Sequence, residues 1–133
     1  MFLQILYIII QKIIIFNFHI SKIAFSSQHF LICAADNNII LLFDVSTGCF
    51  IKKIFLNDLV LQILFDEVYN IIFVITKFSI HCLRLNLKEI CSTNLTIPIH
   101  CMSTCSSNLW KENPFILIGF ENGTFSVYKA NIN

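Results

Sequence analysis

The chain contains little glycine, proline or charge. Only three glycines and two prolines occur in 133 residues, which excludes collagen-like and linker-like chains. Nine Lys and Arg against eight Asp and Glu give a net charge of +1, which excludes nucleic-acid binding through bulk positive charge. The apolar fraction is 56%, which excludes a disordered chain, because a disordered chain of this composition would leave a large apolar surface in contact with water. What is left is a folded domain with an unusually large supply of core residues.

The chain also lacks the usual motifs of catalysis. There is no Gly-x-Ser-x-Gly, no glycine-rich phosphate loop and no pair of carboxylates apart from Asp66 and Glu67. These two residues follow an apolar run and precede Tyr69 and Asn70, so we expect them to form a solvated turn. We therefore expect no enzyme activity and no cofactor.

Six cysteines are present, but none of them forms a Cys-x-x-Cys pair. His81 and Cys82 alternate across a strand, as do His100 and Cys101, so neither pair converges on a metal without special geometry. Free cysteine is among the most buried residue types. We expect core cysteines and no metal, with disulfides as the alternative.

The first twenty residues contain two apolar runs, Ile5–Ile10 and Ile13–Phe16, separated by Gln11 and Lys12. A lysine in the middle disfavours a membrane span, and a secretory signal places its positive charge before the apolar core. Residues 1–19 are interpreted as strands preceding the first repeat, or as non-native sequence. The alternative is a small membrane-anchored β-rich protein held by residues 1–18.

The remainder of the chain repeats with a period near 40 residues. Ile20–Ser26 aligns with Val60–Asp66 and, less closely, with Ile99–Cys105. Two more apolar runs follow in each unit, and a fourth closes the first two units. Runs of four to seven apolar residues bounded by Asn, Asp, Ser and Gly predict strands, so the fold class is all-β. The units are assigned to residues 20–57, 58–96 and 97–133, the last with an insert at 106–114.

Two dipeptides between apolar runs predict two-residue hairpin turns, where a positive φ is needed. They are Asn37-Asn38 and Asn122-Gly123. Phe43 and Tyr128 lie in the apolar runs that follow these turns, and we expect them to fill the space between neighbouring units.

The first unit resembles a known family. Cys33–Val45 is similar to the WD-repeat consensus Ser-Gly-Ser-x-Asp-Gly-x-Ile-x-Leu-Trp-Asp, with Asn37 on the Asp and Phe43 on the Trp. Ile118–Lys129 resembles it again, whereas the second unit has Lys77 and Phe78 in the turn. The resemblance implies about three four-stranded blades of a β-propeller, not a closed ring, that act as a non-catalytic protein-protein interaction scaffold. The hydrogen-bonded His, hydroxyl, Asp and Trp of that family are mostly missing here.

The last fifty residues resemble a narrower group. Leu83–Leu95 and Ile99–Met102 are similar to the closing blades of BEACH-domain proteins of the lysosomal-trafficking-regulator and neurobeachin type, although Leu87 stands where that pattern has glycine. Leu109–Asn113 resembles an insert of those propellers. The resemblance implies a role in vesicle or lysosome membrane traffic.

Three blades are too few for the ring that such repeats build, and an open arc leaves apolar faces uncovered. We therefore expect a fragment of a longer chain, or a truncated gene product without independent function, and aggregation or oligomers of the isolated chain. The expected partners are proteins or the missing blades, and no nucleic acid. The expected location is the cytoplasm, with peripheral association with membranes. Candidate partner contacts are loop residues: Trp110, Lys111, Glu112, Asn57 and Asp58.

Overall fold

The computed structural model describes residues 18–105 and 113–132, which form eleven β-strands. The predictions for residues 1–17 and for most of the insert lie outside the described residues. The strands are β1 (Lys22–Ser26), β2 (Leu31–Asp36), β3 (Ile39–Asp44), β4 (Cys49–Phe55), β5 (Val60–Asp66), β6 (Ile71–Thr76), β7 (Ser79–Arg84), β8 (Glu89–Asn94), β9 (Ile99–Cys105), β10 (Phe115–Phe120) and β11 (Phe125–Lys129).

The strands form three antiparallel sheets, in which each strand pairs with the next along the chain. The first sheet has the order β1-β2-β3-β4, the second β5-β6-β7-β8, and the third β9-β10-β11. The predicted all-β class is confirmed, and each strand lies within two residues of a predicted apolar run. Within the described residues, the third sheet has three strands rather than four.

The middle strands of the first two sheets are buried on both faces, which explains why they appear in the sequence as continuous apolar runs. Every residue of β6 is buried, as are the four central residues of β2 and of β3. The outer strands β4 and β8 are mostly exposed and carry polar residues, among them Lys52, Lys53, Ser92 and Thr93. Polar outer strands limit unwanted pairing at a sheet edge.

The apolar cores lie between consecutive sheets. One face of the second sheet, with Ile72, Val74 and Leu83, packs on Cys33 and Leu42 of the first sheet. Its other face packs on the third sheet in a larger cluster: Ile71, Phe73, Ile75, Ile80, Cys82, Ile99, Met102, Ile116, Ile118 and Phe120. The inner strands β1, β5 and β9 lie side by side, so the three sheets follow one another around a common side.

Each end of this row of sheets exposes apolar side chains. Ile23 of the first sheet is 61% exposed on the face away from the second sheet. On the third sheet, Phe125 and Val127 are 73% and 55% exposed, and Leu117 lies beside Val127 on the same outward face. The outward face of the third sheet is therefore uncovered, whereas the middle strands of the first sheet are buried on their outward face, where Ala34, Leu41 and Phe43 are all 0% exposed.

Candidate interaction face

One end of the sheets is formed by hairpin turns and by the connections between sheets. We call it the hairpin end, and it comprises residues 37–38, 56–59, 77–78, 95–98 and 121–124. The carbonyl oxygens of Asn37 and Asn38 accept hydrogen bonds from the amides of Val60 (2.9 Å) and Leu56 (2.8 Å). This turn thus holds the connection to the second sheet in place through backbone hydrogen bonds.

The second sheet repeats this joint with different side chains. The carbonyls of Lys77 and Phe78 accept from the amides of Ile99 (2.8 Å) and Leu95 (2.7 Å). The donors lie 39 residues beyond their counterparts in the first unit. Because the backbone makes these bonds, the joint survives where the side-chain motif has degenerated.

Residues 37–38 join β2 and β3 as a two-residue turn, in which Asp36 pairs with Ile39, whereas the turn in the third sheet is longer than the two residues expected. Asn37 has a positive φ of 52° and Asn38 does not, while the Asn38 side chain donates to the Leu56 carbonyl at 2.9 Å. In the third sheet only Gly123 has a positive φ, 85°. There the amide of Gly123 bonds to Phe120, whose own amide bonds to the Thr124 carbonyl. This is a three-residue loop with glycine at the left-handed position.

The hairpin end presents apolar side chains to solvent at related positions. Leu59 is 56% exposed and Ile97 is 36% exposed, each just before the first strand of the next sheet. Phe78 is 40% exposed, and the Lys77 ammonium lies over its ring, 5.8 Å from the ring centroid. A cavity of about 200 Å³ opens at this end, lined by Leu95, Thr96, Ile97, Phe120, Thr124, Phe125, Ser126 and Tyr128.

The predicted contact residues are only partly placed. Asn57 is exposed and Asp58 is half-buried, both at the hairpin end, where the Asp58 carboxylate accepts from the Leu59 amide at 2.7 Å. Trp110, Lys111 and Glu112 lie outside the described residues. Leu59, Phe78 and Ile97 are not among the contact residues predicted from the sequence, although the repeat alignment places Leu59 and Ile97 in matching connections.

Two solved structures share this architecture. Saccharomyces cerevisiae Sqt1, a WD40 protein, matches with a TM-score of 0.65 and 18% identity over 84% of this chain and 31% of its own. BBS1N, a propeller solved in complex with ARL6DN, matches with a TM-score of 0.63 and 14% identity over 76% of this chain and 33% of its own. The fold is that of a partial β-propeller. The chain spans about a third of the length of these two proteins.

No protein-family model matches the chain, and no curated protein matches its sequence. The three sheets are therefore described as blades 1, 2 and 3 on structural grounds. Phe43, Leu83 and Tyr128 occupy equivalent positions on the third strand of each blade. Leu83 projects into the core shared with blade 1, and Tyr128 packs against the core shared with blade 2. Phe43 is fully buried on the opposite face of blade 1, with its ring edge-on to Phe50 at 5.5 Å.

The end opposite the hairpin end is held by side chains. The Ser26 hydroxyl donates to the Glu67 carboxylate at 2.8 Å, and the Gln28 amide donates to the same oxygen at 3.2 Å. His29 and Asn70 form a second contact between blades 1 and 2, at 2.7 Å. The hydrogen bond from Ser26 is the main reason why the pKa of Glu67 is lowered.

Asp66 is buried, so the expectation of a solvated acidic turn is wrong for this residue. It is 3% exposed, and one carboxylate oxygen accepts from the amides of Val68 (3.1 Å) and Tyr69 (3.2 Å). The other oxygen has no hydrogen-bond partner in the described part of the chain. Burial raises the pKa of Asp66, against the lowering effect of the two amides.

A chain of polar side chains that the sequence reasoning missed runs along blade 2. Ser79 Oγ lies 2.9 Å from His81 Nε2, and His81 Nδ1 lies 2.8 Å from a Glu89 carboxylate oxygen. This order matches a serine-histidine-acid triad. The Ser79 hydroxyl, however, also bonds to Thr76, and Ser79 is only 8% exposed. None of the cavities found among the described residues is lined by Ser79, so the arrangement suits a structural relay rather than a nucleophile.

The cysteines are not uniformly buried, so the expectation of core cysteines is wrong for two of them. Cys33 and Cys82 are buried, Cys91 is half-buried, and Cys49 and Cys101 are exposed. Burial raises the pKa of Cys33 to about 12, so it is an inert core thiol. Among the described residues, no three His, Cys, Asp or Glu side chains lie close enough to hold a metal ion.

Over the described ranges 18–105 and 113–132, no helix is long and apolar enough to cross a membrane. The alternative of a membrane anchor in residues 1–18 concerns a segment that lies almost entirely outside them.

Proposed function

We propose that this chain is part of a non-catalytic scaffold that binds a protein partner through its hairpin end. The observation that carries the proposal is the exposure of Leu59, Phe78 and Ile97 on connections that backbone hydrogen bonds hold in place. Exposed apolar side chains on a rigid frame bind at low entropic cost, because few bonds are immobilised on association. Asn57, Asp58 and Lys77 supply a polar rim around them.

The BBS1N structure supports a protein as the partner, since that propeller was solved in complex with ARL6DN. We further propose that the parent protein is of the BEACH type and acts in vesicle or lysosome membrane traffic. Support comes from Leu87, which has a φ of 67° at the position where the BEACH pattern has glycine. Glycine adopts the left-handed backbone conformation without strain, so a positive φ here agrees with a pattern that has glycine at this position.

The remaining blades are proposed to come from a longer chain or from other copies, because the outward face of blade 3 exposes Phe125 and Val127. The proposed location is the cytoplasm, with peripheral membrane contact. The described cysteines are free, as expected in a reducing compartment. Cell fractionation tests this: recovery in a carbonate-resistant membrane pellet would contradict peripheral attachment.

The interaction role is tested by site-specific photo-crosslinking in cells. Benzoylphenylalanine replaces Phe78 at the hairpin end or, as a matched control, Phe30, which is 56% exposed at the opposite end. We expect a discrete protein adduct from position 78 that Leu59→Asp removes, and none from position 30. Equal adducts from both positions, or adducts unaffected by Leu59→Asp, would contradict the proposed face.

The absence of catalysis is tested separately with a fluorophosphonate probe, which labels activated serines. Because Ser79 is buried and bonded to Thr76, we expect no labelling of Ser79 above that of Ser79→Ala. Covalent labelling at Ser79 that Glu89→Gln abolishes would show that the relay is a working triad and would refute the non-catalytic assignment.

A further inference from the structure

Two cysteines of blade 2 face each other across neighbouring strands. Cys82 of β7 is the register partner of Cys91 of β8. Opposed residues of an antiparallel pair have Cα atoms about 4.5 to 5.5 Å apart, which lies inside the range of about 4.4 to 6.8 Å that disulfides span. The register therefore places the two Cα atoms within the span of a disulfide.

The repeat does not require cysteine at these positions. Forty residues earlier, the equivalent cross-strand pair in blade 1 is Leu42 and Lys52. A leucine and the stem of a lysine therefore fill the same place in a blade of the same architecture. Packing alone does not explain why both positions carry thiols in blade 2.

The pair is also reachable by a small molecule. Both cysteines line a cavity of about 230 Å³ between blades 2 and 3, together with Tyr128 and Ala130. Cys91 is half-buried and opens onto this space, whereas Cys82 is 2% exposed. The two thiols therefore differ in access to solvent.

We propose that Cys82 and Cys91 form a redox site that hydrogen peroxide converts reversibly to a disulfide. The Cys91 thiolate attacks one peroxide oxygen, so that an S–O bond forms, the O–O bond breaks and hydroxide leaves as water. The Cys82 sulfur then attacks the Cys91 sulfur, so that the S–S bond forms and the S–O bond breaks. The second hydroxide takes the Cys82 proton and leaves as water. Two thiols lose two electrons, and one peroxide becomes two waters.

The order of the steps follows from burial. Burial, and the nearby Cys91 and Asp66, raise the pKa of Cys82 to about 12, so little of it is thiolate at neutral pH. Cys91 therefore reacts first and Cys82 resolves the sulfenic acid. The second step is the slower one, and the sulfenic acid on Cys91 is long-lived enough to be trapped.

The test uses the full chain, reduced and then treated with hydrogen peroxide in native buffer. Free thiols are alkylated, and the protein is digested with trypsin, which cuts after Arg84 and Lys88 between the two cysteines. Trypsin leaves Cys91, Cys101 and Cys105 on one peptide, residues 89–111, so fragmentation of the linked species by tandem mass spectrometry locates the bond. We expect a single pair, Cys82 with Cys91, lighter by two hydrogen atoms and restored by dithiothreitol. Cys33 is expected to remain reduced.

Three variants separate the roles. In Cys82→Ser, dimedone is expected to trap the sulfenic acid on Cys91, and in Cys91→Ser the linked product is expected to disappear. Cys49→Ser, which removes an exposed thiol elsewhere, should leave the product unchanged. The proposal is overturned if wild-type Cys82 and Cys91 are both alkylated while Cys49 or Cys101 is oxidised, or if the pairing is scrambled across several cysteines. The wild-type result needs no substitution, so a variant that fails to fold does not affect it.

Discussion

At the scale of single residues, Leu87 combines a backbone conformation that favours glycine with a buried leucine side chain. It has a φ of 67°, and its loop repeats the pattern of Asn122 and Gly123: Leu87 N bonds to the Arg84 carbonyl, and the Asn86 side chain accepts from the Lys88 amide at 3.0 Å. The left-handed backbone favours glycine, yet Leu87 is 2% exposed in the core between blades 1 and 2. Burial outweighs strain, because a buried leucine contributes about 2–5 kcal/mol and the left-handed conformation costs about 1–2 kcal/mol.

Leu87→Ala and Leu87→Gly are both expected to destabilise the chain. Leu87→Gly should be the milder change, by about 1 kcal/mol, because it also relieves the strain. Leu83 is the matched control: it is equally buried, but it lies in a strand without a positive φ, so there glycine should be worse than alanine by about 0.5–1 kcal/mol. Chemical denaturation measures both pairs. The same order of glycine and alanine at the two positions would contradict the account.

Asp66 leads to a prediction about pH. Its pKa is raised by burial, so the folded state binds the proton more readily than the unfolded state, and the contribution of Asp66 to stability falls as pH rises through the raised pKa. Asp66→Asn keeps an acceptor for the amides of Val68 and Tyr69 and removes the buried charge. We expect it to be more stable than the wild type at pH 7, with a gap that closes as the pH is lowered.

Asp44→Asn is the control with the opposite sign. Hydrogen bonds from Ser46 lower the pKa of Asp44, so its stabilising contribution is present above the ordinary pKa and is lost as pH falls. Asp44→Asn is expected to be less stable than the wild type at pH 7. Thermal melts of both variants across pH 3 to 8 measure this, in steps chosen around the ordinary pKa of about 3.9. Equal effects at all pH values would show that ionisation plays no part.

At the scale of strands and turns, much of the fold could be predicted from the sequence. Apolar runs separated by Asn, Asp and Gly indicate strands because both faces of the middle strands are buried, and the 40-residue period identifies the blades. The joints within and between blades could not be predicted in the same way. Glu67 meets Ser26 only through blade packing, and His81 meets Glu89 only through strand register, neither of which a local pattern records. Asp66 looks like a turn residue in sequence, yet its side chain is buried, while Val68 and Asn70 of the turn that follows are exposed.

The repeated backbone joint at the hairpin end predicts a pattern of hydrogen exchange. The amides of Val60 and Ile99 donate to the preceding turns, whereas those of Asn57 and Thr96 have no backbone acceptor within the described residues. One backbone hydrogen bond contributes about 1 kcal/mol, so the amides of Val60 and Ile99 should exchange at least about fivefold more slowly than those of Asn57 and Thr96. Exchange resolved to single amides by mass spectrometry measures this. Protection at Val60 but not at Ile99 would show that the degenerate blade has lost the joint.

At the scale of the whole molecule, the described residues form an open arc of three blades. The outward face of blade 3 exposes Leu117, Phe125 and Val127, whereas the outward face of blade 1 exposes Ile23 but buries Leu41 and Phe43. Closed propellers cover such faces with neighbouring blades and leave only short, protected sheet edges. An isolated arc should therefore bury these faces by self-association.

The most direct measurement of this central claim is the mass of the full chain in solution, by size-exclusion chromatography with light scattering. The account predicts species heavier than the 15.4 kDa chain, and a shift toward smaller species when Phe125 and Val127 are both replaced by lysine. The matched control is Ile51→Lys, on the exposed outer strand of blade 1, which should leave the distribution unchanged. A monodisperse 15.4 kDa species for the wild-type chain would contradict the open arc.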